Sequence, residues 1–464
     1  MNILALSILS ISLYSLGTLY QFLIYLRKVP ARHFVSFLLG TAAVTLQLIV
    51  TLTYILDGNR MLFGFFNTAS LILCAPSLTA KVATEIPTTP AKAGTLVFAI
   101  QDIPEGVPKE GHGKNAKKYG YRIPSLLTTS KKTVIAFTER RLGLHDHAQN
   151  DIVLKRSTDG GKTWGPEIVA IEDGMNSIND PLTAQLADGR IMMMYARFPY
   201  GRHARASGWI KMAEPGYDAP KLNILTFVTY SSDDGLTWSK PTDISRSVKP
   251  AHWLNANTPG AMVQLRKGPN KGRIVASLWG CVPVTDEQGK VSRTWEIVAA
   301  YSDDNGKTWK RTKSLDDPEK GFPNECQIAE ASNGDLVIIS RNQGGVNLRK
   351  KSISKDGGVT WSAIKTDPTL PSVACMGSII SGPIKADGSW DLYASFPSPK
   401  GRKNGQLAIS TDNGQTFQIK KIVTGNFAYS ATQISPDSKS IYCLYETTGY
   451  KEQRFLSIPL SEFK

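Results

Sequence analysis

Five copies of one pattern, Ser-x-Asp-x-Gly-x-Thr-aromatic, recur along the chain at 157–164, 231–238, 302–309, 354–361 and 410–417. Each reads as a hairpin turn: the Ser and Asp side chains bond nearby backbone, the Gly takes a conformation other residues avoid, and the aromatic ring packs beneath the loop. Copies spaced by roughly 50 to 75 residues imply a repeat architecture with one such turn per unit. The intervals also hold short apolar runs, among them Ile191-Met192-Met193-Met194-Tyr195 and Leu336-Val337-Ile338-Ile339. Several short strands per unit predict a four-stranded antiparallel sheet, which is a propeller blade. The expected fold class is therefore an all-β, six-bladed β-propeller over 95–464, in units of roughly 60 residues. Five turns against six blades leave one blade whose turn has lost its signature. Leu96-Val97-Phe98-Ala99-Ile100 and Phe455-Leu456-Ser457-Ile458 are the expected first and last strands, closing the ring within one blade.

The first 80 residues are of another kind. Stretches 3–26 and 34–56 are apolar, uncharged and long enough to cross a bilayer, with Arg27, Lys28, Arg32 and His33 between them. Such a basic loop stays cytoplasmic, so two spans return the chain to the outside. A third apolar stretch, 61–80, would reverse that outcome if it spanned; its small-residue end instead fits an export signal. The expectation is a membrane-associated or exported protein with an extracytoplasmic body, tethered through 81–94.

The formal charge of +15 makes an anionic partner worth considering. No basic block alternates with aromatics as a nucleic-acid groove requires, so nucleic acid is disfavoured. The five cysteines, Cys74, Cys281, Cys326, Cys375 and Cys443, show neither metal-ligand nor paired spacing and read as free thiols. His145 and His147 lack a third ligand at usable spacing, so no metal site is expected.

Function is carried by residues outside the turns. Tyr121-Arg122-Ile123-Pro124-Ser125 opens the body, and Glu139-Arg140-Arg141-Leu142-Gly143-Leu144-His145-Asp146-His147 follows one strand later. With the repeated turns, these motifs resemble the sialidase (neuraminidase) family over roughly 98 to 460. The resemblance implies that Arg122, Arg341 (in Ile339-Ser340-Arg341-Asn342) and Arg402 (in Lys400-Gly401-Arg402-Lys403) hold a sialic acid carboxylate. Guanidinium suits that task because it makes two parallel charge-assisted bonds where Lys cannot.

A sialoside carries its carboxylate on the anomeric carbon, so a carboxylate nucleophile would meet like charge. A neutral phenol avoids this but needs a base to take its proton. The resemblance gives these roles to Tyr429 as nucleophile and Glu325 as its activating carboxylate, an exception to the two-carboxylate glycosidase scheme that is known for sialidases. It further implies Asp146 as general acid/base, Glu446 as the ion-pair partner orienting Arg122, and Arg141 with Asp180 as contacts to the sugar 4-hydroxyl. The implied activity is release of terminal sialic acid from glycoproteins, glycolipids or oligosaccharides, with retention and without a cofactor. Trans-sialidase activity, or sialoglycan binding without turnover, are the rival readings. An added stretch from Arg197 to Leu222, rich in Arg and with Trp209, is expected either to rim the pocket or to form a solvated loop.

Overall fold

The computed structural model describes residues 86–146 and 148–463. The expected membrane or export stretches at 3–26, 34–56 and 61–80 lie outside the described residues. Among the described residues no helix is long and apolar enough to cross a membrane.

Among the described residues six successive groups of strands follow one another, each an antiparallel meander running outward from an inner strand. The inner strands are Lys118–Thr128, Ser177–Gln185, Gly260–Ala261 with Val263–Gln264, Pro323–Glu330, Ser378–Ser381 and Ser430–Ile434. Each contacts the next, and the last returns to the first, so the groups close into a ring. Short polar residues meet at several of these contacts. The Ser125 hydroxyl lies 3.0 Å from that of Thr183 and donates to the Gly260 carbonyl at 2.8 Å. Ser378 and Thr432 pair their hydroxyls at 2.8 Å. The architecture is an all-β propeller.

Blade packing explains why strands in the middle of a blade are apolar on both sides. Along Ile191–Phe198, Met192 and Met194 pack toward Ile274, Ala276 and Leu278 of the third blade. Ile191, Met193 and Tyr195 alternate with them and pack against Ile135, Phe137 and Leu154 of the first. Period-two geometry sends alternate side chains to opposite faces, and both faces are covered. Truncating such a residue to alanine costs about 2–5 kcal/mol.

Thr95–Ala99 pairs antiparallel with Glu452–Pro459, so amino-terminal and carboxyl-terminal strands share the sixth blade as expected. The missing sixth signature has a topological cause. Every box links the third and fourth strands of a blade; in the sixth blade those are Glu452–Pro459 and Thr95–Ala99, which no turn connects. Nothing there has decayed: the two strands are paired side by side but are not consecutive in the chain, so there is no turn to carry a box.

The boxes share one hydrogen-bond pattern. Ser302 Oγ donates to Asp304 Oδ1 and accepts from the Gly306 amide, both at 2.8 Å. Asp304 in turn accepts from the Thr308 amide at 2.9 Å and hydroxyl at 2.6 Å. Gly306 needs its φ of +81° for the turn to close. Asp159, Asp233, Asp356 and Asp412 are bonded in the same way.

The described part of the expected tether is laid against the body. Thr88–Pro90 runs parallel to Gln418–Asn426, and Ala91 is buried beside Val423 and Phe427. Cys281, Cys326, Cys375 and Cys443 are buried free thiols.

Candidate active site

In an antiparallel meander the start of the first strand, the end of the second and the start of the third lie at the same end of the blade. Arg122, Asp180 and Glu325 lie in the first halves of inner strands, and Tyr429 directly precedes one. Arg141, Arg341 and Glu446 lie at the ends of second strands; Arg402 immediately precedes a third. All therefore gather at one end of the ring. The boxes, which follow third strands, lie at the other.

At the centre of this end the Tyr429 hydroxyl donates to Glu325 Oε1. Arg341 Nη1 bonds the same pair, donating to Glu325 Oε2 at 2.8 Å and to the Tyr429 oxygen at 3.0 Å. The guanidiniums of Arg122 and Arg402 stand 5.2 and 5.3 Å from the Tyr429 ring centre. The three arginines read from the sequence thus surround one phenol. Burial, reinforced by Glu325, pushes the Tyr429 hydroxyl well above the usual phenol range, so it stays protonated.

Glu446 organises the Arg122 side. It is fully buried; Oε1 accepts from Arg122 Nε at 2.7 Å and from the Ile123 amide at 2.9 Å, while Oε2 accepts from the Tyr429 amide at 3.2 Å. One carboxylate therefore fixes both an arginine and the backbone that carries the tyrosine. The local chain is bent for this purpose: pairing slips between Arg122 and Ser125, and Ile123 takes a φ of +65°, unfavourable for a β-branched residue.

Asp146 lies in the turn after the first blade's second strand, its side chain 47% exposed. Arg141 Nη1 donates to it at 2.5 Å. Burial acts to raise its carboxyl, but Arg141 and then Arg122 outweigh burial and hold it below the usual carboxylate range. Arg141 is also paired with buried Glu139, whose Oε1 accepts from the Asp180 amide at 2.8 Å. Asp180 and Arg141 are thus joined through Glu139, with the Asp180 carboxylate turned to the Asn257 amide. Burial beside Glu139 and Glu325 pushes the Asp180 carboxyl up.

The added stretch reaches Asp146. Arg205 Nη2 lies 3.7 Å from Asp146 Oδ2, and Arg293 of the neighbouring blade secures the loop by donating to the Ala204 carbonyl at 3.3 Å. Tyr200 and Trp209 pair their rings at 5.2 Å, and the Tyr200 hydroxyl donates to Glu110 at 2.9 Å. His147, next to Asp146 in sequence, is not among the described residues, and no group of three potential metal-ligating side chains occurs among those that are.

Three residues were missed in the sequence. Glu139 stands in the quoted motif, and its alternation with Arg141 along one strand was the available signal. Tyr450 lies 4.1 Å below the Arg122 guanidinium and accepts from Arg402 at 3.0 Å. Arg349 is buried against the Cys375 carbonyl at 2.9 Å, and burial brings its guanidinium down to about 10. Neither carries a local motif; only the folded ring brings them to the site.

Residues 133–443 match the model of the BNR repeat-like domain family. A sialidase of Micromonospora viridifaciens is 28% identical over 450 residues, covering 93% of this chain and 60% of its own length. A sialidase of Bacteroides fragilis is 29% identical over 425 residues, covering 85% and 73%. Among solved structures, the Hadza microbial sialidase Hz136 superposes with a TM-score of 0.61 at 27% identity, covering 74% of this chain and 66% of that one. The chain therefore spans about three fifths to three quarters of these relatives.

Proposed function

Because this chain belongs to the BNR-repeat sialidase family, we propose that it is an exo-α-sialidase that cleaves terminal sialic acid from glycoconjugates with retention of configuration. The observation that carries this reading is the Tyr429–Glu325 hydrogen bond inside a ring of three arginines. Carboxylate binding alone would need only the arginines. A phenol held protonated beside a carboxylate is the arrangement that nucleophilic attack requires.

The sugar carboxylate docks among Arg122, Arg341 and Arg402. The Tyr429 oxygen attacks the anomeric carbon as Glu325 takes its proton, and the glycosidic bond breaks with Asp146 protonating the leaving oxygen. Water then attacks the anomeric carbon as its bond to the Tyr429 oxygen breaks, Asp146 accepts the water's proton, and Glu325 returns a proton to the departing phenolate. Two inversions give retention.

Asp146, held below the usual carboxylate range, must gain a proton to act as acid. The bound carboxylate supplies the reason. It compensates Arg122, one of the two guanidiniums that hold Asp146 down, so substrate binding raises the acid toward its working range.

A fluorogenic α-sialoside tests the proposal. The wild-type protein should release free sialic acid, first as the α-anomer by NMR, and Tyr429→Phe should lose turnover by orders of magnitude while still binding a sialic acid analogue. Release of an anhydro sugar or transfer to an added galactoside would instead identify a trans-sialidase. Binding without any turnover by the wild-type protein would identify a lectin-like propeller.

A further inference from the structure

We infer that Tyr450 is a positioning residue: it aims Arg402 at the substrate carboxylate through a neutral contact, so that this arginine keeps its whole charge for the ligand. The inference rests on the sialidase reading of the pocket.

The three arginines are not held alike. Arg122 is paired with Glu446 and Arg341 with Glu325. Among the described residues, no carboxylate lies within ion-pair distance of Arg402. Both of its side-chain hydrogen bonds go to neutral oxygens: Nη1 donates to the Tyr450 hydroxyl at 3.0 Å and Nη2 to the Ala374 carbonyl at 3.4 Å. A carboxylate partner orients a guanidinium but offsets the charge that attracts an anion. A phenol oxygen orients it without that offset.

Tyr450 also serves the neighbouring arginine. Its ring lies 4.1 Å from the Arg122 guanidinium carbon, a cation–π distance, so one side chain spans two of the three carboxylate-binding groups. The chain accepts an unfavourable conformation to place it there. Tyr450 has a φ of +59°, following Gly449 at +56°, in the turn between Ser440–Glu446 and Glu452–Pro459. A bulky residue in the left-handed region persists only where its surroundings over-determine it. The packing beside Ile123, Cys375 and Tyr429 provides that setting. A single hairpin therefore delivers Glu446 to the first arginine and Tyr450 to the third.

The test measures Kd for 2,3-unsaturated sialic acid by calorimetry, and KM and kcat on a fluorogenic sialoside, for four proteins. Tyr450→Phe keeps the ring and loses the hydroxyl; Kd and KM should rise about tenfold with kcat within about twofold. Tyr450→Gln, a neutral acceptor, should recover part of that loss. Tyr450→Glu keeps an acceptor but adds charge, and should bind more weakly than Tyr450→Phe. Wild-type affinity in Tyr450→Phe, or in Tyr450→Glu, would overturn the inference while leaving the sialidase reading intact. A wild-type protein that neither binds nor cleaves sialosides would overturn both.

Discussion

The Arg122 guanidinium and the Glu446 carboxylate, 324 residues apart in sequence, form a buried 2.7 Å ion pair. Because Glu446 also accepts from two backbone amides, it joins the first blade to the sixth as well as orienting an arginine. Glu446→Gln turns an amide donor toward one of those donors and strips Arg122 of its counter-charge. The variant should lose about 3–5 kcal/mol of stability, the cost of breaking a buried pair. Denaturant unfolding checks this, and an unchanged midpoint would show that the pair contributes nothing.

Arg141 sets the protonation of Asp146. In Arg141→Gln the strongest of the cations lowering the Asp146 carboxyl is gone, so its pKa must rise. The alkaline limb of the kcat profile, where the acid loses its proton, should move to higher pH. The same change strands buried Glu139, so a lower melting temperature should accompany it. A limb that stays in place would remove Asp146 from the role of acid.

The boxes stabilise the fold from the end opposite the pocket. Asp304→Ala should cost about 1 kcal/mol after allowance for solvent screening, with KM and kcat unchanged. Asp233 and Asp304 are brought down to about 2, because hydrogen bonds from Thr237 and Thr308 outweigh the opposing effect of burial. A depressed folded pKa contributes stability above the unfolded value and loses it as pH falls toward the folded one. Wild-type stability should therefore decline between about pH 4 and pH 2, and less steeply in the Asp304→Ala variant.

We propose from the basic loop at 27–32 that the propeller works outside the cytoplasm, with 61–80 acting as an export signal or as an incompletely inserted segment. Protease added to intact cells or spheroplasts should digest the body or find it already released. Complete protection until the membrane is permeabilised would place the body inside.

Local chemistry made much of this protein legible from its sequence. A box needs Ser, Asp, Gly and Thr at set spacing because they bond one another, so Ser302 to Trp309 announces its own turn; alternation in Ile191–Phe198 announces a strand covered on both faces. The residue types that the proposed sialoside chemistry demands, from Arg122 to Tyr429, stood in local motifs. Tertiary structure decided what depends on elements far apart in sequence. It showed that the sixth box is absent because the paired strands Glu452–Pro459 and Thr95–Ala99 are not consecutive in the chain, and that 88–93 lies on the body. It also turned Arg141 toward Glu139 and Asp146, and brought Tyr450 beneath Arg122 and against Arg402. A hydrogen bond within one turn leaves its mark on neighbouring letters, whereas a contact between blades leaves none until the ring closes.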